Sequence, residues 1–259
     1  MNIVVCVKQV PDTWAEKKLT PEDRTLDREG VDAVLNELDE YAVEEALRLQ
    51  EAHGGEVTVL SMGPEQVSET LRKALSMGAD KAVHIVDPAL HGSDAYATSA
   101  VLAAAVARAA PDLVLMGVES TDARMSVVPA MVAERLGRPQ LTFAGKVEVD
   151  GATVRVHRQT EDGYQVVEAA APAIVSVIEK INEPRYPSFK GIMAAKKKPV
   201  EKLSVADLGI EAASVGAAGS HTAVDDFAAS PPRGAGTVVK DEGDGGAKVA
   251  EFLATKKFV

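Results

Sequence analysis

The chain has 259 residues, of which 46% are hydrophobic and 26% charged, and its formal net charge is −11. That length fits one large domain, or one domain with an appendage, and the composition is that of a globular protein with a sizeable core. The acidic balance argues against a general nucleic-acid binder, and no apolar run approaches the roughly 20 residues that cross a bilayer, so an integral membrane protein is not expected. Aromatics make up only 4%, which leaves the core to Val, Leu, Ile and Ala. The single cysteine, Cys6, excludes an intrachain disulfide and fits a reducing compartment. The opening MNIVVCVKQV meets Lys8 too early to read as a signal peptide.

In chain order, Asn2 to Val10 is a continuous apolar run, the pattern of a strand buried on both faces. A polar segment follows from Pro11 to about Asn36, long for a connection in a compact domain, and it carries the only tryptophan, Trp14, beside Thr13. YAVEEALRLQEAHGG predicts an amphipathic helix stopped by Gly54-Gly55, and EVTVLSMG a second strand. PEQVSETLRKALSMG, opening on Pro64 and closing on Gly78, predicts a second helix, and KAVHIVD a third strand. Ser93 is the expected cap of an Ala-rich helix running to Ala110, with Asp94 beside its dipole. DLVLMGV is a fourth strand, and a helix follows from about Arg124 to Leu136, closed by Gly137. Asp150-Gly151 and Asp162-Gly163 lie between alternating runs and predict hairpins that add antiparallel strands at a sheet edge. PAIVSVI is one more buried strand. From about Ala206 to Gly246 the chain is rich in Ala, Gly, Ser and Pro and reads as a linker or arm, before a short helix in GAKVAEFLATKK.

This alternation predicts an α/β fold. It is a doubly wound, mostly parallel sheet, Rossmann-like and of the adenine-nucleotide-binding type, with antiparallel edge hairpins and an extended C-terminal arm. The expected division is an α/β domain over 1–205 and an arm over 206–259. In such sheets ligands bind beyond the carboxyl ends of the strands where the strand order reverses. If strands 1 and 4 are neighbours, that crevice lies between the segment after Val7 and the loop GVESTDARMS. Gly117 permits close backbone approach there, Ser120, Thr121 and Ser126 supply hydroxyls, and the following helix start favours an anion. The same residues also suit a plain capped loop. Phosphate-loop, dinucleotide and metal motifs are missing. Cys6 and His84 fall in predicted strands and read as packed. No nucleophile, base and orienter fall into an arrangement, so the chain does not read as an enzyme.

NEPRYPSFKGIMAAKKK stands out against the acidic whole. Over 182–200 five positive residues, Arg185, Lys190, Lys196, Lys197 and Lys198, face one acid, Glu183, a local net of +4 beside the apolar Phe189, Ile192 and Met193. That stretch, with VCVKQVPDT, NELDEYAVEEALRL, ALSMGADKAVHI and DLVLMG followed by Asp122, resembles the β subunit of electron-transfer flavoprotein (ETF) over nearly the full length. The resemblance implies a non-catalytic electron-carrier subunit paired with an ETF alpha subunit that holds most of the FAD at the heterodimer interface. It implies a structural AMP near Cys6, Asn36, Glu37, Leu38, Asp39, Met62, Gly117, Glu119, Ser120, Thr121, Asp122, Arg124, Ser126, Val127 and Val128. Thr13, Trp14, Leu38 and Gln159 are implied near the flavin. Pro187, Phe189, Ile192, Met193, Lys196, Lys197 and Lys198 are implied to dock acyl-CoA and other flavin dehydrogenases, with ETF:quinone oxidoreductase as acceptor. A role in fatty acid beta-oxidation and a bacterial cytoplasmic location follow from the same resemblance, or the mitochondrial matrix in a eukaryote. The chain departs from the family's K-Q-A-x-D-D-D stretch, keeping Gly117 and Asp122 but carrying Val118-Glu119-Ser120-Thr121 before the Asp and Ala123-Arg124 after it. Two alternatives stay open: a bifurcating type with a second FAD in place of AMP, and a stand-alone adenine-nucleotide binder or hydrolase.

Overall fold

The computed structural model describes residues 1–258 apart from 233, 235 and 237, so Arg233, Ala235, Thr237 and Val259 of the expected arm lie outside the described residues. The described chain divides into two compact units, Met1–Asp225 and Asp226–Val259.

The first unit is built on a nine-stranded sheet. Its parallel strands are β1 (Asn2–Cys6), β4 (Glu56–Met62), β5 (Lys81–Ile85), β6 (Leu113–Gly117), β7 (Gln140–Asp150), β10 (Ala173–Val177) and β11 (Val200–Leu203). Two antiparallel strands, β8 (Thr153–Thr160) and β9 (Gly163–Ala170), extend it past β7, in the order β11-β5-β4-β1-β6-β10-β7-β8-β9. The two hairpins form where the Asp-Gly pairs predicted them, but their two-residue loops are Gly151-Ala152 and Glu161-Asp162, with Asp150 and Gly163 already paired in the strands. Both faces of the parallel part are covered, which is why its strands are apolar runs rather than alternating ones. Ile3 and Val5 pack with α1 (Glu37–His53) and α2 (Val67–Met77) through Leu47, Leu71 and Leu75. Val4 and Cys6 point the other way, toward Val101, Val106 and Val132 of α3 (Ala95–Ala109) and α4 (Val128–Leu136).

Several boundaries differ from the sequence pattern. β1 ends at Cys6, and the rest of the run turns away to form β2 (Gln9–Pro11), which pairs with β3 (Ala33–Leu35) in a separate two-stranded sheet. Thus the long polar segment is an excursion closed at its base by a hairpin-like ladder. α1 starts at Glu37, four residues ahead of the apolar periodicity, on a first turn of Glu37, Asp39 and Glu40 that suits the helix dipole. Pro64–Gln66 form a turn before α2 rather than its first turn. Asp94, not Ser93, caps α3: its carboxylate accepts the Ala97 N–H at 2.9 Å, while the Ser93 hydroxyl donates to the Leu90 carbonyl. The stretch after β11 packs onto the α3 side of the sheet through Val205, Leu208, Ile210 and Val215, including the one-turn helix α6 (Gly216–Gly219). The second unit contains α7 (Gly245–Thr255), the helix expected at GAKVAEFLATKK. Among the described residues no helix is long and apolar enough to cross a membrane.

Candidate functional site

β1 and β6 are adjacent and in register, Cys6 opposite Met116, with β4 and β10 on their outer sides. The strand order therefore reverses between them, and the crevice beyond Cys6 and Gly117 is the expected ligand position. The first turn of α1 enters this split. Asp39 accepts the Lys8 N–H at 2.8 Å and the Gly117 N–H at 3.2 Å, so one carboxylate ties off the ends of both strands. Gly117 has to be glycine for this reason: a Cβ there would lie 2.5 Å from the Asp39 carboxylate and 2.8 Å from the Leu38 carbonyl carbon. Burial pushes the Asp39 carboxyl up to about 7 against the opposing pull of the Lys8 and Gly117 N–H groups.

Asn36, 1% exposed, immediately precedes α1 but makes no side-chain cap. Its amide donates to the Glu119 carbonyl at 2.9 Å and accepts the Thr121 N–H at 3.1 Å, lacing the loop after β6 to the helix. Ser126 donates to the Glu119 carboxylate at 2.8 Å and closes that loop on itself. Arg124 and Ser126 both adopt left-handed backbone, at φ 50° and 54°, conformations that persist only where neighbours over-determine them.

Asp122, with 2% of its side chain exposed, takes two cations: Lys8 Nζ at 2.8 Å and Arg28 at 3.3 Å. Burial would raise this carboxyl, but the Lys8 charge and hydrogen bond, with Ser120 and Arg28, outweigh it and hold it below its ordinary value. Lys8 also donates to the Ser120 hydroxyl at 3.2 Å. Two cations on one carboxylate leave positive charge facing the crevice. The buried hydroxyls of Thr13 and Thr121 have no hydrogen-bond partner among the described residues.

The remaining candidates fall around this clamp. Cys6, Met62 and Val128 belong to the apolar layer on the α3/α4 side, and burial pushes the Cys6 thiol up to about 12, so it packs rather than reacts. Val127 precedes α4, whose amino end has no side-chain cap. Glu37 points to solvent and Leu38 is half-buried over Gly117. Trp14 is 94% exposed in the excursion between β2 and β3. Gln159 lies on β8, separated from β6 by β10 and β7, and its amide donates to the Thr160 and Gly163 carbonyls. Lys8 and Arg28 are the charged side chains of this cluster that sequence reasoning missed. Lys8, directly after the first apolar run, carried a usable signal, since the carboxyl end of a central strand is where ligands sit. A concavity of about 360 Å³ lined by Met1, His53, Asp112 and Pro172 opens at the amino ends of the strands, the wrong end for such a site.

The basic stretch forms a second feature. Its root is tied to α1: Asn182 donates to the Tyr41 carbonyl and to Glu45, and Arg185 takes Glu44 through its backbone N–H and guanidinium, the shortest contact 2.7 Å, and Glu51 at 2.6 Å. After a half-buried Pro187 comes α5 (Phe189–Ala195), capped by the Ser188 hydroxyl, which accepts the Gly191 N–H at 3.0 Å. Phe189 is 81% exposed, and Ile192 and Met193 are exposed beside it. Lys196 and Lys197 point outward; Lys198 is turned in against α2.

Residues 23–208 match the family described as "Electron transfer flavoprotein domain". The chain is 51% identical to the electron transfer flavoprotein subunit beta of Mycobacterium tuberculosis, covering 100% of this chain and 99% of that one. It is 43% identical to the protein of the same name from Clostridium acetobutylicum, covering 92% of each. The similarity to the caffeyl-CoA reductase-Etf complex subunit CarD of Acetobacterium woodii is 40%, again over 92% of each.

Proposed function

Because the chain belongs to the electron transfer flavoprotein family, among β subunits that carry electrons rather than catalyse a reaction, we propose that it pairs with an α subunit and gives that heterodimer its nucleotide clamp and its docking face. FAD, held mainly by the α subunit, supplies the electron-transfer chemistry when bound. Electrons come from acyl-CoA and other flavin dehydrogenases that land on α5 and leave to a quinone oxidoreductase. This chain's contribution beside the flavin is the surface of Thr13, Trp14, Leu38 and Gln159.

The observation that carries the reading is the clamp at the β1/β6 split. It combines what an adenine nucleotide needs: an uncapped helix start at Val127–Val128 for phosphate, excess positive charge from Lys8 and Arg28, the unpartnered Thr121 hydroxyl, and an apolar wall of Cys6, Met62 and Val128. On this reading the ligand is AMP, in a structural role. Similarity to a subunit of a caffeyl-CoA reductase-Etf complex favours a second reading, in which the crevice takes a second FAD. The ligand inventory of the purified, denatured heterodimer separates them. One flavin and one AMP per heterodimer are expected; two flavins select the second reading. Adenine-nucleotide hydrolysis by the isolated chain would overturn both and return it to the stand-alone nucleotide hydrolases.

A further inference from the structure

α5 is gripped by α2 from both ends of a reciprocal contact. Lys198, three residues past the end of α5, donates its ammonium to the carbonyls of Leu75 at 3.0 Å, Gly78 at 3.0 Å and Ala79 at 2.5 Å. An ammonium has three donors, and these three carbonyls engage all of them at the carboxyl end of α2. That end has orphan carbonyls and a negative dipole, which a lysine is suited to satisfy. In return Arg72 of α2 donates to the carbonyls of Ala195 at 2.5 Å and Lys198 at 3.1 Å, at the carboxyl end of α5. Between the two arms the helices are flush: a Cβ on Gly191 would lie 2.5 Å from the Ser76 carbonyl oxygen. Burial lowers the affinity of Lys198 for its proton, as expected of an ammonium withdrawn from water.

We propose that Lys198 and Arg72 are positioning residues that lock the docking helix onto α2, and that Lys198 is no part of the charge shown to partners; this rests on the reading of α5 as the docking element. The run of three lysines then divides into two jobs. Lys196 and Lys197 steer, and Lys198 holds Phe189 at a fixed place and angle. A rigid anchor binds without first being ordered, so loosening the clamp raises the apparent dissociation constant by the reciprocal of the fraction of time α5 is correctly placed.

The test uses the intact heterodimer with purified acyl-CoA dehydrogenase as electron donor, comparing Lys198→Met, Arg72→Met, Lys197→Met and Phe189→Ala. Amide exchange over 189–195, and KM and kcat for the heterodimer at low and high salt, are measured for each. For Lys198→Met we expect exchange of α5 to rise about tenfold and KM to rise about 3- to 10-fold. Its kcat and salt dependence stay at wild-type values. Arg72→Met gives the same pattern and carries the test if Lys198→Met fails to fold. Lys197→Met does the opposite, with unchanged exchange and a flatter salt dependence. Wild-type exchange in both clamp variants, or a Lys198→Met that merely reproduces Lys197→Met, overturns the proposal. Phe189→Ala separates this from the docking reading. If Phe189→Ala raises KM and the clamp variants do not, the clamp is wrong and docking stands. If Phe189→Ala leaves KM unchanged, docking at α5 is wrong, and the exchange data still decide the clamp.

Discussion

Asp39, in the first turn of α1, and Asp122, in the loop after β6, both lie in space at the carboxyl ends of the two central strands, yet their surroundings drive them in opposite directions. Asp122 receives two side-chain cations and is held ionised. Its stabilising contribution is present above the ordinary carboxyl range and is lost as pH falls below about 4. Asp39 receives backbone N–H groups in a buried split, and its carboxyl is raised from 3.8 to about 7. An acid with a raised folded value keeps its proton where the unfolded chain has released it. Its contribution is greatest at low pH and declines as pH rises from about 4 through about 7. Asp39→Asn removes that decline but leaves the Lys8 or the Gly117 N–H facing an amide NH2. At pH 5 the variant heterodimer should be less stable than wild type by about 1–3 kcal/mol, the penalty for an unsatisfied buried donor. The gap should narrow by pH 8, as thermal unfolding at the two pH values will show; a gap that widens contradicts the raised value. Of this cluster, Asn36, Asp39 and the 117–128 loop were legible in the sequence through the resemblance and the strand-end rule. The pairing of Lys8 and Arg28 with Asp122 was not, because these residues lie 114 and 94 positions from it and no local pattern links them.

At the scale of elements, the basic stretch is two structures in sequence, a root bolted to α1 and a helix clamped to α2. The root is an ion pair with an unequal burial: the Glu44 side chain is 4% exposed, that of Arg185 34%. Burial would raise the Glu44 carboxyl, but the Arg185 hydrogen bonds hold it below its ordinary value. The pair therefore stabilises above about pH 4 and is lost in acid. Arg185→Ala strands a buried carboxylate that keeps only Arg48, and should cost about 2–4 kcal/mol. Adding Glu44→Gln should restore part of the loss, since an uncharged amide is cheaper to bury than an unpaired charge; a double-mutant cycle by urea unfolding measures it. Strictly additive losses would mean the two side chains do not interact. The types of the buried parallel strands and amphipathic helices of the first unit were readable because the two have distinct periods, whereas the short β2, β3 and α5 were not. Element ends were less so. The ladder of β1 gives out after Val7, whose N–H still donates to the Leu60 carbonyl, because the Asp39 carboxylate takes the Lys8 N–H, and α2 starts after a turn. β11 escaped notice because VEKL has no strand pattern: it pairs on one side only, with β5, at a sheet edge.

At the scale of the molecule, the first unit has its own two-sided core, whereas the second has no buried residue in its helix α7. Val249 is 58% exposed and Phe252 53%, three positions apart on one helical face. Composition alone read the region from Ala206 as an arm. The apolar positions Leu208, Ile210 and Val215 show why its first part folds back on the sheet, while the residues after Asp225 form a separate unit. A helix with an uncovered apolar stripe and no core beneath it gains stability only by burying that stripe elsewhere. The α subunit is the partner to which the family assignment points. Ending the chain at Asp225 should thus leave the first unit folded, with its thermal transition within a few degrees of wild type. It should weaken co-elution with the α subunit on gel filtration. The loss should also follow Phe252→Ser in the full-length chain, since a phenylalanine that moves from half-exposed to buried contributes about 1–2 kcal/mol. Undiminished heterodimer from both variants would place the stripe outside the subunit interface.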